Sequence, residues 1–239
     1  MKNQPHIIVH GKGPPLVLFH GWGFDAKIWS SLLPRLGGCY QLYLVDLPGF
    51  GLTPPMAWDL FKSGLFEQLP PTFAMLGWSM GGLIGTQLAI EAPLRITHLV
   101  NIASSPCFIQ GRGWPGVSQT VFNKFHDDLS SNPEHLLKQF IELQLQGQTM
   151  ALGHPPSLSG LQAGLDVLVR SDHRQALKTL TQPVCYMFGR LDSIVPWRTS
   201  ALMMQLYPNI HQVVFPKAAH APFLSHPDDF VKALEVFLQ

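Results

Sequence analysis

One pentapeptide constrains the fold of this chain more than any other feature: Gly77-Trp78-Ser79-Met80-Gly81. It follows the apolar stretch Phe73-Ala74-Met75-Leu76, which reads as a short buried strand. It precedes residues 82–90, which read as a helix. A serine between two glycines at a strand-to-helix turn is a nucleophile elbow, in which a strained backbone lifts the hydroxyl above the sheet. Gly77 and Gly81 stand where such a tight turn leaves no room for side chains. Gly-x-Ser-x-Gly arises by chance in about one chain in twelve of this length. The flanking strand and helix, and partners for Ser79, therefore have to carry the case.

The 239 residues fit one large α/β domain or two small ones. A hydrophobic share of 46% and a charged share of 13% imply a large core under a sparsely charged surface. Net charge of +1, with no run of clustered Lys and Arg, argues against a nucleic-acid partner. The start, Met1-Lys2-Asn3-Gln4-Pro5-His6, lacks the apolar core of a signal peptide. Residues 73–90 are apolar, but their glycines, Ser79, Thr86 and Gln87 favour a buried strand–turn–helix over a membrane span. Cys39, Cys107 and Cys185 are too few and too scattered for a disulfide framework or a zinc site; they read as small core residues in a reducing, cytoplasmic setting. None of the 11 histidines forms His-Glu-x-x-His, the one His-x-x-x-His (His6 to His10) brackets the strand run at 7–9 rather than lying on a helix, and no Gly-x-Gly-x-x-Gly follows a strand, so neither a metal nor a dinucleotide cofactor is expected.

Short apolar runs at 7–9, 16–19, 42–45, 73–76, 99–102, 184–188 and 213–215 alternate with longer stretches. Most are continuous rather than alternating, the pattern of strands buried on both faces, and predict a mainly parallel sheet flanked by helices. A last helix is predicted over 227–238, with Pro227 in its first turn and Asp228 and Asp229 near its positive end. One region breaks the alternation. Helices are predicted at 117–129, 133–146 and 159–171, separated by turn-rich breaks, with no buried strand from 110 to 175. Roughly 80 residues separate the strands on either side, far more than an ordinary connection. The division expected is a core over 1–109, a helical cap over 110–175 and the rest of the core over 176–239.

A serine hydroxyl needs a base, and the base needs an orienting group. In open α/β sheets, ligands bind beyond the carboxyl ends of the strands, so the partners should follow later strands. Asp192 in Gly189-Arg190-Leu191-Asp192 and His220 in Lys217-Ala218-Ala219-His220-Ala221-Pro222 both do. Asp46 precedes the elbow and is expected to fix its own loop. His226 adjoins the last helix and reads as structural. His20 comes too early to be the base and is expected to brace the neighbouring loop. The oxyanion of an acyl-transfer reaction needs hydrogen-bond donors. Those expected are the backbone N–H of Met80 and that of Trp22 in His20-Gly21-Trp22-Gly23, with the Trp22 indole left to line the acyl pocket.

Together these residues resemble the α/β-hydrolase superfamily, in which the order Ser79…Asp192…His220 also holds. Within it, the chain resembles the pimeloyl-[acyl-carrier protein] methyl ester carboxylesterases of bacterial biotin synthesis. The carrying motifs are Leu18-Phe19-His20-Gly21-Trp22-Gly23, Leu44-Val45-Asp46-Leu47-Pro48-Gly49-Phe50-Gly51, the elbow, Ala103-Ser104-Ser105-Pro106-Cys107-Phe108, Phe140-Ile141-Glu142-Leu143-Gln144 and Phe215 through Phe223. The resemblance implies a capped hydrolase fold, no cofactor, and cleavage of the methyl ester of pimeloyl-acyl carrier protein to release methanol. It maps substrate contacts onto Trp22, Ser79, Met80, the run Phe140, Ile141, Glu142, Leu143, Gln144, and His220. The implied enzyme is a cytoplasmic monomer whose partner is the acyl carrier protein, with no membrane. The chain departs from the pattern in two ways. Its cap is about a dozen residues shorter after Gln144, near 149–161. From Gln110 to Ser171 it carries Arg112, Lys124, Lys138 and Arg170 against Asp127, Asp128, Glu134, Glu142 and Asp166, so docking of an acidic carrier needs a local basic patch. Two other readings are a broad short-chain carboxylesterase without a carrier, and a non-catalytic ligand-binding module on the same fold.

Overall fold

A computed structural model describes residues 4–145, 147–148 and 153–239. The predicted helix end at Gln146, and the start of the shortened stretch at 149–152, lie outside the described residues. Seven strands form one sheet: β1 (Ile7–Gly11), β2 (Pro15–Phe19), β3 (Gln41–Val45), β4 (Phe73–Trp78), β5 (Ile96–Ile102), β6 (Val184–Gly189) and β7 (His211–Phe215). Their order is β1-β3-β2-β4-β5-β6-β7. Only β1 runs antiparallel to its neighbour, pairing Ile7 with Val45 and Gly11 with Gln41. All other pairs are parallel. Each of the seven apolar runs has become a strand.

Alternation along each strand divides the core. Val17, Phe19, Met75, Leu99 and Phe188 belong to one buried cluster. Leu16, Leu18, Leu76, Val100 and Met187 belong to another. A period of two sends neighbouring side chains to opposite faces, so a strand covered on both sides must be apolar throughout.

The helices are α1 (Leu33–Leu36), α2 (Trp58–Gln68), α3 (Met80–Glu91), α4 (Gln119–Ser131), α5 (Pro133–Leu145), α6 (Leu158–Arg170), α7 (Trp197–Leu206), α8 (Pro222–Ser225) and α9 (Pro227–Leu238). Between β5 and β6 lie α4, α5 and α6 and, among the described residues, isolated bridges such as Ile109 to Val117 in place of a strand. Ser118 and Ser157 cap α4 and α6 by accepting from the N–H of Val121 and Gly160. The insertion is tied to loops at the carboxyl edge of the sheet. The Ser157 N–H donates to the Gly49 carbonyl at 2.9 Å, and the His154 N–H donates to Asp25 Oδ2 at 2.8 Å.

Among the described residues, no helix is long and apolar enough to cross a membrane. The stretch over 73–90 is β4, the elbow and most of α3. Cys107 and Cys185 are buried, but Cys39 is exposed and corrects the expectation of a core residue. It sits just past the short helix α1, in the turn that enters β3, where the chain runs over the surface.

Candidate active site

Ser79 stands between β4 and α3 with φ 55° and ψ −117°. This is left-handed backbone for a residue with a Cβ. The turn closes so tightly that a Cβ on Gly77 would lie 2.4 Å from the Gly81 carbonyl oxygen, and one on Gly81 would lie 2.4 Å from the Phe19 carbonyl oxygen. The second contact also presses the start of α3 against the end of β2. The Ser79 N–H donates to the Ile102 carbonyl at 2.8 Å, and the Ser104 hydroxyl donates to the Ser79 carbonyl at 2.8 Å. Strand pairing on both sides and one serine from the β5 loop thus over-determine the strained residue.

The three side chains expected to act together do meet. Ser79 Oγ lies 2.9 Å from His220 Nε2, and His220 Nδ1 lies 2.8 Å from Asp192 Oδ2. All three residues are buried. Asp192 Oδ1 accepts from the N–H groups of Ile194 and Val195 at 2.8 and 3.0 Å. A carboxylate facing Nδ1 puts the imidazole proton there, which leaves the Nε2 lone pair facing the hydroxyl. The Trp78 indole N–H donates to the His220 carbonyl at 2.7 Å and its ring packs on the imidazole. Sequence reasoning gave Trp78 and Ser104 no role. Both lie in the motifs behind the resemblance, which was the only signal for them.

Met80 opens α3, where backbone N–H groups have no intrahelical acceptor. The Trp22 N–H has no hydrogen-bond acceptor among the described residues. The Trp22 and Met80 side chains meet over one glycine: a Cβ on Gly164 would lie 2.6 Å from Trp22 Cδ1 and 3.0 Å from Met80 Sδ. The Trp22 indole, expected to be free to line the acyl pocket, does line the cavity beside Ser79, while its ring N–H donates to the Leu161 carbonyl at 2.8 Å. Its faces and edges still pack against Phe125 and Phe140.

Ser79 opens into a cavity of about 220 Å³. Trp22 forms one wall, Val121, Phe122 and Phe125 of α4 a second, Phe140 and Leu143 of α5 a third, and Leu165 and Leu168 of α6 a fourth, with Ser193 and Ile194 on the core side. Of the predicted run in α5, Phe140 and Leu143 line this cavity. Ile141 packs into the core, Glu142 is exposed, and Gln144 is buried with its amide N–H 3.4 Å from the Trp22 carbonyl. A helix turns 100° per residue, so five consecutive positions never share one wall.

His20 braces its loop as expected. Its Nε2 accepts from the Leu47 N–H at 3.0 Å, so Nδ1 carries the proton and donates to the Gly21 carbonyl at 2.8 Å. Burial pushes its pKa below the ordinary 6.5. Asp46 holds its own loop through the Ala26 and Leu52 N–H groups. His226 contacts Ser225. No group of three or more His, Cys, Asp and Glu suited to a metal occurs among the described residues.

A signature described as "Alpha/beta hydrolase family" matches residues 16–233. The chain belongs to the alpha/beta hydrolase family. Within this family it is 52% identical over 236 residues to a protein of Legionella pneumophila (strain Lens) named pimeloyl-[acyl-carrier protein] methyl ester esterase, covering 98% of this chain and 99% of that one. A protein of the same name from Pectobacterium atrosepticum is 40% identical, covering 94% of each chain. Among solved structures, an esterase from Exiguobacterium antarcticum superposes with a TM-score of 0.86 at 22% identity, covering 98% of this chain and 94% of that one. An enol-lactonase from Burkholderia xenovorans gives 0.84 at 18% identity, covering 98% and 96%. Structures this distant in sequence show the fold alone; the chemistry has to be argued from the site.

Proposed function

We propose that this hydrolase cleaves the methyl ester of pimeloyl-acyl carrier protein, in the synthesis of biotin, with Ser79 as nucleophile, His220 as base and Asp192 as the group that orients it. The observation that carries the reading is the buried Ser79–His220–Asp192 relay opening into an apolar cavity. The names of the relatives, at up to 52% identity over almost the full length, point to the substrate.

Ser79 Oγ attacks the ester carbonyl carbon as its proton passes to His220 Nε2. The carbonyl oxygen becomes an oxyanion held by the N–H groups of Met80 and Trp22. Collapse of the tetrahedral intermediate breaks the bond to the methoxy oxygen, which takes the proton from His220 and leaves as methanol. A water then gives its proton to His220 and attacks the acyl-serine. Collapse frees the carboxylic acid and restores the serine hydroxyl. The apolar walls suit the methylene chain. Because the methyl ester must reach Ser79, the thioester end of the acyl group points outward to its carrier. In this reading residues 110–175 are a cap over the acyl chain, Phe140 and Leu143 touch it, and the enzyme is a cytoplasmic monomer without a cofactor.

The test is methanol release from the carrier-linked ester by the purified protein. Ser79→Ala should lower kcat on the order of 10⁴- to 10⁶-fold with the fold intact, because triad members act as a unit. Near-native turnover by this variant would refute the mechanism. Rescue of a bacterium that lacks its own methyl esterase, without added biotin, tests the substrate.

A further inference from the structure

An acidic carrier has to present its acyl chain at the mouth of the cavity, yet residues 110–171 hold four basic against five acidic residues. Their cations are also partly engaged: Arg170 lies 3.5 Å from Asp166, and Lys124 shares a cleft with Asp128. The other rim of the mouth is different. Ser193 and Ile194, on the loop after β6, line the cavity that holds Ser79. From Ser193 to Pro227 the sequence contains no Asp or Glu, but it contains Arg198 and Lys217, with Arg190 just ahead. All three cations are exposed, and none forms an ion pair among the described residues.

Backbone pairing brings the loops that bear Arg190 and Lys217 together, and Arg198 stands in the first turn of α7. The Arg190 N–H donates to the Phe215 carbonyl at 3.0 Å and the Leu191 N–H to the Ala218 carbonyl at 2.9 Å. Two large apolar side chains sit among the cations: Leu191 is 58% exposed and Trp197 is 45% exposed. The Arg190 guanidinium lies 5.0 Å from the Trp197 ring centroid, which holds its charge outward on a fixed platform. An apolar centre within unpaired positive charge complements an acidic surface that has a few apolar residues of its own.

Resting on the function proposed above, we propose that the acidic acyl carrier protein docks on the core-side rim formed by Arg190, Leu191, Trp197, Arg198 and Lys217, rather than on the helical insertion. Docked there, the carrier passes its acyl chain over Ser193 and Ile194 into the cavity.

The test compares Arg198→Glu/Lys217→Glu with Lys124→Glu/Lys138→Glu in the full-length enzyme. Each is assayed on pimeloyl methyl ester bound to acyl carrier protein and on a small soluble methyl ester. The rim variant should lower kcat/KM on the carrier-linked ester tenfold or more, leave the small ester unchanged, and flatten the loss of rate with added salt. The insertion variant should change the carrier-linked rate less than threefold. No loss in the rim variant, an equal loss on both substrates, or a larger loss in the insertion variant would each overturn the docking site. A native enzyme that cleaves the small ester but never the carrier-linked one would instead overturn the substrate assignment on which the docking site rests.

Discussion

Ser79 carries a conformational cost that its proposed role as nucleophile requires. A non-glycine residue in so sparsely populated a region costs roughly 1–3 kcal/mol. It persists because the Ile102 carbonyl, the Ser104 hydroxyl and the Gly77–Gly81 contact leave the chain no alternative. Ser79→Gly should therefore raise stability by about 1 kcal/mol while abolishing turnover. Ser79→Ala keeps the strain and should not stabilise. Denaturant melts of the two variants against the native protein check the difference; equal midpoints for Gly and Ala would show that the turn is not strained. A second residue-scale effect concerns protons. Burial lowers the pKa of His20 below 6.5, and it pushes His98 and His173 the same way. The unfolded chain then binds protons that the folded protein refuses. Stability should fall as pH drops below 6.5, and His20's share of the loss ends once pH passes below its folded value. His20→Gln should make the decline between pH 7.5 and pH 5 shallower in equilibrium unfolding, and an unchanged slope would count against the assignment.

At the scale of elements, α6 meets the site through one residue without a side chain. Gly164 lets the helix lie against Trp22 and Met80, the two residues whose N–H groups are proposed to hold the oxyanion. The rigid indole edge cannot yield to a methyl group 2.6 Å away as a flexible thioether can. Gly164→Ala should lower kcat for a small ester about tenfold or more with little change in KM, since it displaces groups that matter most in the transition state. A proportionate rise in KM with kcat retained would mean that the substitution only narrows the cavity. Sequence reasoning could not have singled out Gly164, because what it touches lies far away along the chain. It did find the helix that carries it, since the turn-rich breaks that bound such a stretch are local signals. Likewise the run in α5 was visible as a unit, but only helical geometry separates Phe140 and Leu143 from the exposed Glu142. The elements α2 and α7 had no predicted bounds. Neither carries a buried apolar run of the kind that marked the strands.

For the whole molecule, the sheet was legible because five of its strands lie inside it, and a strand covered on both faces has to be written in apolar residues. The edges were less so: β1 and β7 are partly exposed, and the antiparallel pairing of β1 has no counterpart in its sequence. The candidate catalytic residues were legible for a topological reason, since each follows a strand at the same edge of the sheet. The walls of the cavity were not, because they come from three helices that must dock before they enclose anything. The hydrogen bond between Ser79 and His220 spans 141 positions of the chain, with the whole helical insertion threaded between its ends. Synthesis runs from the amino terminus, so a growing chain displays Ser79 long before it possesses His220, the proposed base. During translation the strained turn has no partner to activate it. On the proposed mechanism, ester cleavage therefore begins only when β7 and His220 have left the ribosome.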